Sequence, residues 1–96
     1  MARYVMLLNW TDQGVKNAKD TVKRAAAARQ AFEKAGAKVH QSLWTLGSYD
    51  LVLICEAPSD ETVTALGLQI GALGNVRSTT LRAFDEQEME QILKKV

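Results

Sequence analysis

Apolar residues recur along this chain in two rhythms, one of helices and one of strands. Residues 3–10, RYVMLLNW, are aliphatic or aromatic almost throughout and predict a first strand. TDQG at 11–14 is turn and cap chemistry, with Thr11 or Asp12 placed to accept from the free N–H groups of a following helix. Val15, Ala18, Val22, Ala25, Arg29 and Phe32 then recur at spacings of three and four, predicting a helix that runs to about Ala35. Most of that stripe is small, which suits a helix lying close on a sheet. Gly36 supplies the left-handed position that ends it.

The rhythm next becomes two. In AKVHQSLWTL (37–46), Lys38, His40, Ser42 and Trp44 alternate with Val39, Gln41, Leu43 and Thr45, predicting a second strand. Gly47–Ser48 reads as a tight turn and YDLVLICEA (49–57) as a third strand, the pair making a hairpin. Pro58 stops it, and Ser59, Asp60 and Glu61 place a cap and two acids at the start of a helix over about 60–73. Gly74–Asn75 ends that helix, VRSTTLRAF (76–84) is a fourth strand, and Asp85 with Glu88 opens a short terminal helix that ends in Lys94 and Lys95. The order β-α-β-β-α-β with a terminal helix is α+β and ferredoxin-like, with strands one and three central. Those two strands are the ones apolar on both faces, so pattern and topology agree.

Two helices cover only one face of such a sheet. Tyr4, Met6, Leu8 and Trp10 alternate with Val5 and Leu7 on strand one, and Val52 and Ile54 oppose Leu51 and Leu53 on strand three, so both strands are apolar on both faces. An exposed face of that character exceeds what a monomer ordinarily tolerates. The simplest cover is a second copy related by a two-fold axis, so a homodimer at least is expected.

Composition narrows the classes. The 96 residues suit one small domain spanning 1–96, and 47% apolar content is that of a globular chain. Twelve basic against eleven acidic side chains leave a formal charge of +1, without the clustered basic surface a nucleic acid requires. VMLL and LVLIC are too short to span a bilayer, and MARYVMLLNW reads as a strand and not as a signal peptide. A lone cysteine, Cys55, excludes an intrachain disulfide and any cysteine-cluster metal site. No cofactor fingerprint is present, and a cytoplasmic chain fits.

WTLGSYDLVLICEAPSDE (44–61), with TDQGVKN upstream and ALGNVRSTTLRAF downstream, resembles the GYD domain family, named for a glycine–x–tyrosine–aspartate element that here is Gly47, Tyr49 and Asp50. The resemblance implies a subunit of the dimeric α+β barrel type, bacterial or archaeal, in which two sheets face one another and can enclose a cavity. It carries no settled activity. The broader barrel class includes cofactor-free monooxygenases, isomerases, haem proteins and plain ligand binders, a breadth that cannot select a chemistry.

The residues themselves offer two catalytic candidates, His40 and Asp50. Directly after a turn, Asp50 can accept from turn N–H groups and hold the hairpin, and this structural reading leads; the alternative makes it a general base at a cavity rim. Asp50 and Glu56 lie about 20 Å apart along a strand, too far to act as one carboxylate pair. His40 is the only side chain whose ordinary pKa lies near neutrality, and Ser42 and Trp44 are expected on its face. Its bland reading is a partly exposed edge-strand histidine. Tyr4, Asn9, Trp10, Trp44 and Tyr49 are the candidate ligand-binding residues, each more simply read alone as core or interface packing. Cys55 reads as a buried, inert thiol. The function expected is a homo-oligomeric, small-molecule-binding protein with an apolar or aromatic ligand held between or beside the sheets. The alternative is a cofactor-free monooxygenase or isomerase acting on a small aromatic or conjugated acid.

Overall fold

A computed structural model describes residues 1–96. Four strands, β1 (Ala2–Trp10), β2 (Lys38–Trp44), β3 (Leu51–Ala57) and β4 (Val76–Ala83), form one antiparallel sheet in the order β2-β3-β1-β4. With α2 (Thr21–Lys34) and α3 (Asp60–Ala72) as the crossovers, this is the ferredoxin-like arrangement, and the two doubly apolar strands are central as predicted. A short α1 (Asp12–Lys16) precedes α2, and α4 (Glu86–Leu93) follows β4.

The core lies between the sheet and the helices. Tyr4, Met6 and Leu8 of β1 and Leu51, Leu53 and Cys55 of β3 are buried against Phe32 of α2 and Val63 and Leu66 of α3. Register pairs Val5 with Ile54 and Leu7 with Val52, so these residues share the opposite face.

Three local expectations need correction. The helix expected up to Ala35 is not continuous: α1 stops at Lys16, a 3-10 turn occupies Ala18–Asp20, and α2 restarts at Thr21. The reason is long-range. Thr11 N–H donates to the Asn75 carbonyl at 3.0 Å, Thr11 Oγ1 to the Gly74 carbonyl at 2.5 Å, and Gln13 Nε2 to the Leu73 carbonyl at 3.1 Å. These bonds fix α1 against the start of β4, and the chain must re-aim before it can cross the sheet. Phase is lost at the break, so Val15 and Val22, two members of the predicted stripe, are exposed.

The strand-two alternation also breaks, at a bulge between Val39 and Gln41. Finally, the connection between β2 and β3 is not a two-residue turn but the segment 45–50, with Gly47 at φ 128°. The remaining boundaries match the pattern closely. Gly36 (φ 79°) ends α2, Ser59 caps α3, and Asp85 and Glu88 form the reciprocal capping box of α4.

Gly14 is the closest approach in this frame: a Cβ there would lie 1.9 Å from the Asn75 carbonyl oxygen. The obstacle is backbone and cannot swing aside. Gly14→Ala is therefore expected to destabilise the chain by about 1–3 kcal/mol, toward the upper end, read by urea unfolding. An unchanged unfolding midpoint would show that the 11–14 and 73–75 segments are not locked together.

Candidate functional site

Asp50 sits where three strand ends meet. Its N–H donates to the Leu8 carbonyl at 2.9 Å, and its own carbonyl accepts from Thr45 N–H at 2.9 Å. Its carboxylate accepts the Trp10 N–H at 2.9 Å. One residue thus extends the β1–β3 pairing past Leu8–Leu51 and also holds the end of β2. Thr45 Oγ1 donates to the Tyr49 carbonyl at 2.6 Å, folding the loop back on itself. The acid occupies a position where the Trp10 N–H would otherwise lack a strand carbonyl.

His40 is at the other end of the hairpin. The bulge puts it with Glu56, Nε2 lying 2.6 Å from Glu56 Oε2. Ser42 and Trp44 face the helices instead: Arg29 donates to Ser42 Oγ at 3.4 Å and Trp44 Nε1 to Thr21 Oγ1 at 3.0 Å. The predicted grouping of histidine, hydroxyl and indole on one face is therefore not assembled. The hydrogen bond from His40, its charge and that of Arg3 hold the Glu56 carboxyl below the usual glutamate range, against a smaller opposing effect of burial.

Of the ligand-binding candidates, Tyr4 is buried in the core and its hydroxyl donates to Asp60 at the start of α3. That hydrogen bond, with burial and the Asp60 charge, pushes the phenol up to about 12. Asn9 is exposed on the helix-free face, paired in register with Arg77. Tyr49 is half-buried in the 45–50 loop. Trp10 is half-buried, and its indole N–H is enclosed without an acceptor. Cys55 is fully buried, and desolvation, helped by the Glu56 charge, raises its thiol to about 11.

Two surfaces remain able to bind something. The helix-free face carries Val5, Leu7, Val52 and Ile54, half-buried, flanked by Leu43 (44% exposed) and Leu81 (46% exposed) on the edge strands. Arg3, Lys38, His40 and Glu56 rim one end, while Arg77 near the other turns its guanidinium to the Gly71 carbonyl of α3. The second surface is a cleft of about 370 Å³ between α2, α3 and the helix side of the sheet. Among the candidates only Trp10 lines it. This apolar cleft lies under the helices, whereas the sequence pattern points to a ligand held between or beside the sheets. Its lining includes Ala25, a small member of the predicted stripe, with Ala28 and Ala31 beside it, together with Arg24, Ile70 and Leu73. No helix is long and apolar enough to cross a membrane.

The GYD domain model matches residues 4–93, and the chain belongs to the GYD domain family. It is also similar, at 28% identity over 95 residues, to the Thermus thermophilus protein named glutamine synthetase and cystathionine beta-lyase binding protein. That match covers 98% of this chain and 100% of the relative.

Two measurements test the roles assigned to the acids. Asp50→Ala leaves a strand-end N–H without its acceptor and is expected to cost about 1–3 kcal/mol in denaturant unfolding. Asp50→Asn, which keeps an amide oxygen, should cost less than the alanine variant; equal costs would refute the acceptor role. For Glu56, a carboxyl held low in the folded chain contributes stability that is present above the unfolded glutamate pKa and lost as pH falls through the depressed value. NMR titration of His40→Ala should move the Glu56 midpoint up toward the ordinary range and flatten the acid limb of the stability profile.

Proposed function

We propose that this GYD-domain chain is a homo-oligomeric binding protein: two copies pair through their helix-free sheet faces, and the assembly carries a small apolar or aromatic ligand and docks on other proteins. The observation that carries the reading is the apolar sheet face with nothing of its own chain over it. Val5, Leu7, Val52 and Ile54 lie at its centre with Leu43 and Leu81 beside them. Burying each such side chain would contribute roughly 1.5–3 kcal/mol before the costs of association. A two-fold copy supplies a surface of matching chemistry, apolar at the centre with charged residues at its margin.

Docking on proteins is supported by the Thermus relative, whose name is that of a protein binding two enzymes. Carriage of a small molecule is supported by the cleft beneath the helices. The competing reading, a cofactor-free enzyme with His40 or Asp50 as base, has less behind it. Each side chain is already engaged, Asp50 with Trp10 N–H and His40 with Glu56, and the two stand at opposite ends of β3.

Native mass spectrometry of the wild type and of Ile54→Lys is the test. The wild type should fly as a multiple of the 10.6 kDa chain. Ile54→Lys places a charge at the centre of the face and should give monomer with unchanged circular dichroism. A monomeric wild type at tens of micromolar would overturn the assembly, and so would a lysine variant that assembles undiminished.

A further inference from the structure

On the helix side, α2 and α3 part over the core and leave the cleft of about 370 Å³, a size within the range of small-molecule pockets. Leu51, Leu53 and Val76 floor it, Ala25 and Ala28 form the α2 wall, and Ile70 stands on the α3 side. Such a lining suits a hydrocarbon or aryl body. Two polar groups in the lining have donors that no group of the chain accepts from. Arg24 is half-buried there and gives one N–H to the Asn17 carbonyl at 2.7 Å and another to the Gly14 carbonyl at 3.2 Å. A guanidinium has five N–H donors, so donors remain. Its charge also meets no carboxylate, since the ion pairs of the chain are His40–Glu56 and Arg82–Glu88. Trp10, also in the lining, has a buried indole N–H with no acceptor.

We propose that this cleft binds a small carboxylic acid with an aryl or short alkyl body, its carboxylate on the Arg24 guanidinium and its apolar part between the α2 alanines and Ile70. The charge selects an anion, the fork of donors suits a carboxylate, and the walls exclude a strongly hydrated one. Ligands of on the order of 10–20 non-hydrogen atoms fit the volume. The inference rests on the small-molecule part of the functional reading and not on assembly, because every lining residue belongs to one chain and lies across the sheet from the face proposed to pair.

The test is an amide- and indole-resolved NMR titration of the whole chain with trans-cinnamate and with its neutral counterpart cinnamide. Cinnamate is expected to shift the Trp10 indole N–H and the amides of Ala25, Ala28 and Ile70 saturably, with cinnamide at least tenfold weaker. Arg24→Gln should remove that preference for the anion. Because Arg24 also ties down two carbonyls, Ala28→Phe provides a variant that fills the wall and leaves the guanidinium alone; it should weaken cinnamate binding at least tenfold. The proposal is overturned by shifts that map to Val5 and Ile54 on the other face, by equal binding of acid and amide, or by no saturable shift up to about 10 mM. Each of those results leaves the assembly reading standing, whereas a monomeric wild type that still binds cinnamate would sink the assembly alone.

Discussion

Everything distinctive about this chain follows from a sheet packed on one side only. α2 and α3 cover the face that carries Tyr4, Met6, Leu8, Leu51, Leu53 and Cys55, and no third layer exists. A central strand in such a sheet would ordinarily alternate apolar with polar residues. β1 and β3 do not: Val5, Leu7, Val52 and Ile54 are apolar where the fold offers them no cover. Their conformational preference as β-branched and aliphatic residues favours the strands, but it does not account for four of them meeting at the centre of an open face. The proposed pairing with a second copy would.

A one-sided sheet also needs its ends held, and the C-terminal end of β1 shows how. Trp10 is fixed from the β3 side by the Asp50 carboxylate on its N–H, and Thr11 is fixed from the β4 side by the Asn75 carbonyl. Gly14 permits the second contact, because any side chain there would collide with Asn75. Near the opposite end, the Tyr4 hydroxyl reaches Asp60 and ties β1 to the start of α3. The strand-end acid is thus part of the frame. Its carboxylate replaces a hydrogen bond that the strand pairing leaves out, a task that explains its place at the head of an apolar strand without invoking chemistry.

How legible this was from the sequence depends on the range of the interaction responsible. Strand order, the open apolar face, the caps at Ser59 and Asp85 and the glycine ending α2 all follow from patterns of a few residues, and each is found where the pattern puts it. The helix break at residue 17 follows from contacts between 11–14 and 73–75, about sixty positions away, which no local spacing records. The bulge in β2 inserts one position, after which every side chain changes face. His40 therefore parts from Ser42 and Trp44 although the alternation placed them together. The cleft was hidden for a different reason. A run of alanines is compatible with close packing and with a void, and only the path of α3 decides which.

The open apolar face and the cleft lie back to back on the same strand. β3 sends Val52 and Ile54 to the open face and Leu51 and Leu53 to the floor of the cleft. Alternation separates them by a single pleat, so side chains can change on one side without entering the other, while any movement of the β3 backbone is felt by both. The Asp50 junction fixes the beginning of that backbone to β1 and β2 at once. Asp50 thus restrains the strand from which both surfaces are built. The proposed carrier would draw on this separation, since its two surfaces could be tuned independently on one support. His40 with Glu56 and Asp50 with the Trp10 N–H are engaged near the ends of β3. The cleft is lined by alanines, leucines, Ile70 and Val76, with Trp10, Thr21, Arg24, Gln69 and Asn75 as its polar members, so the titratable groups of the hairpin and the apolar cleft are separate parts of one sheet.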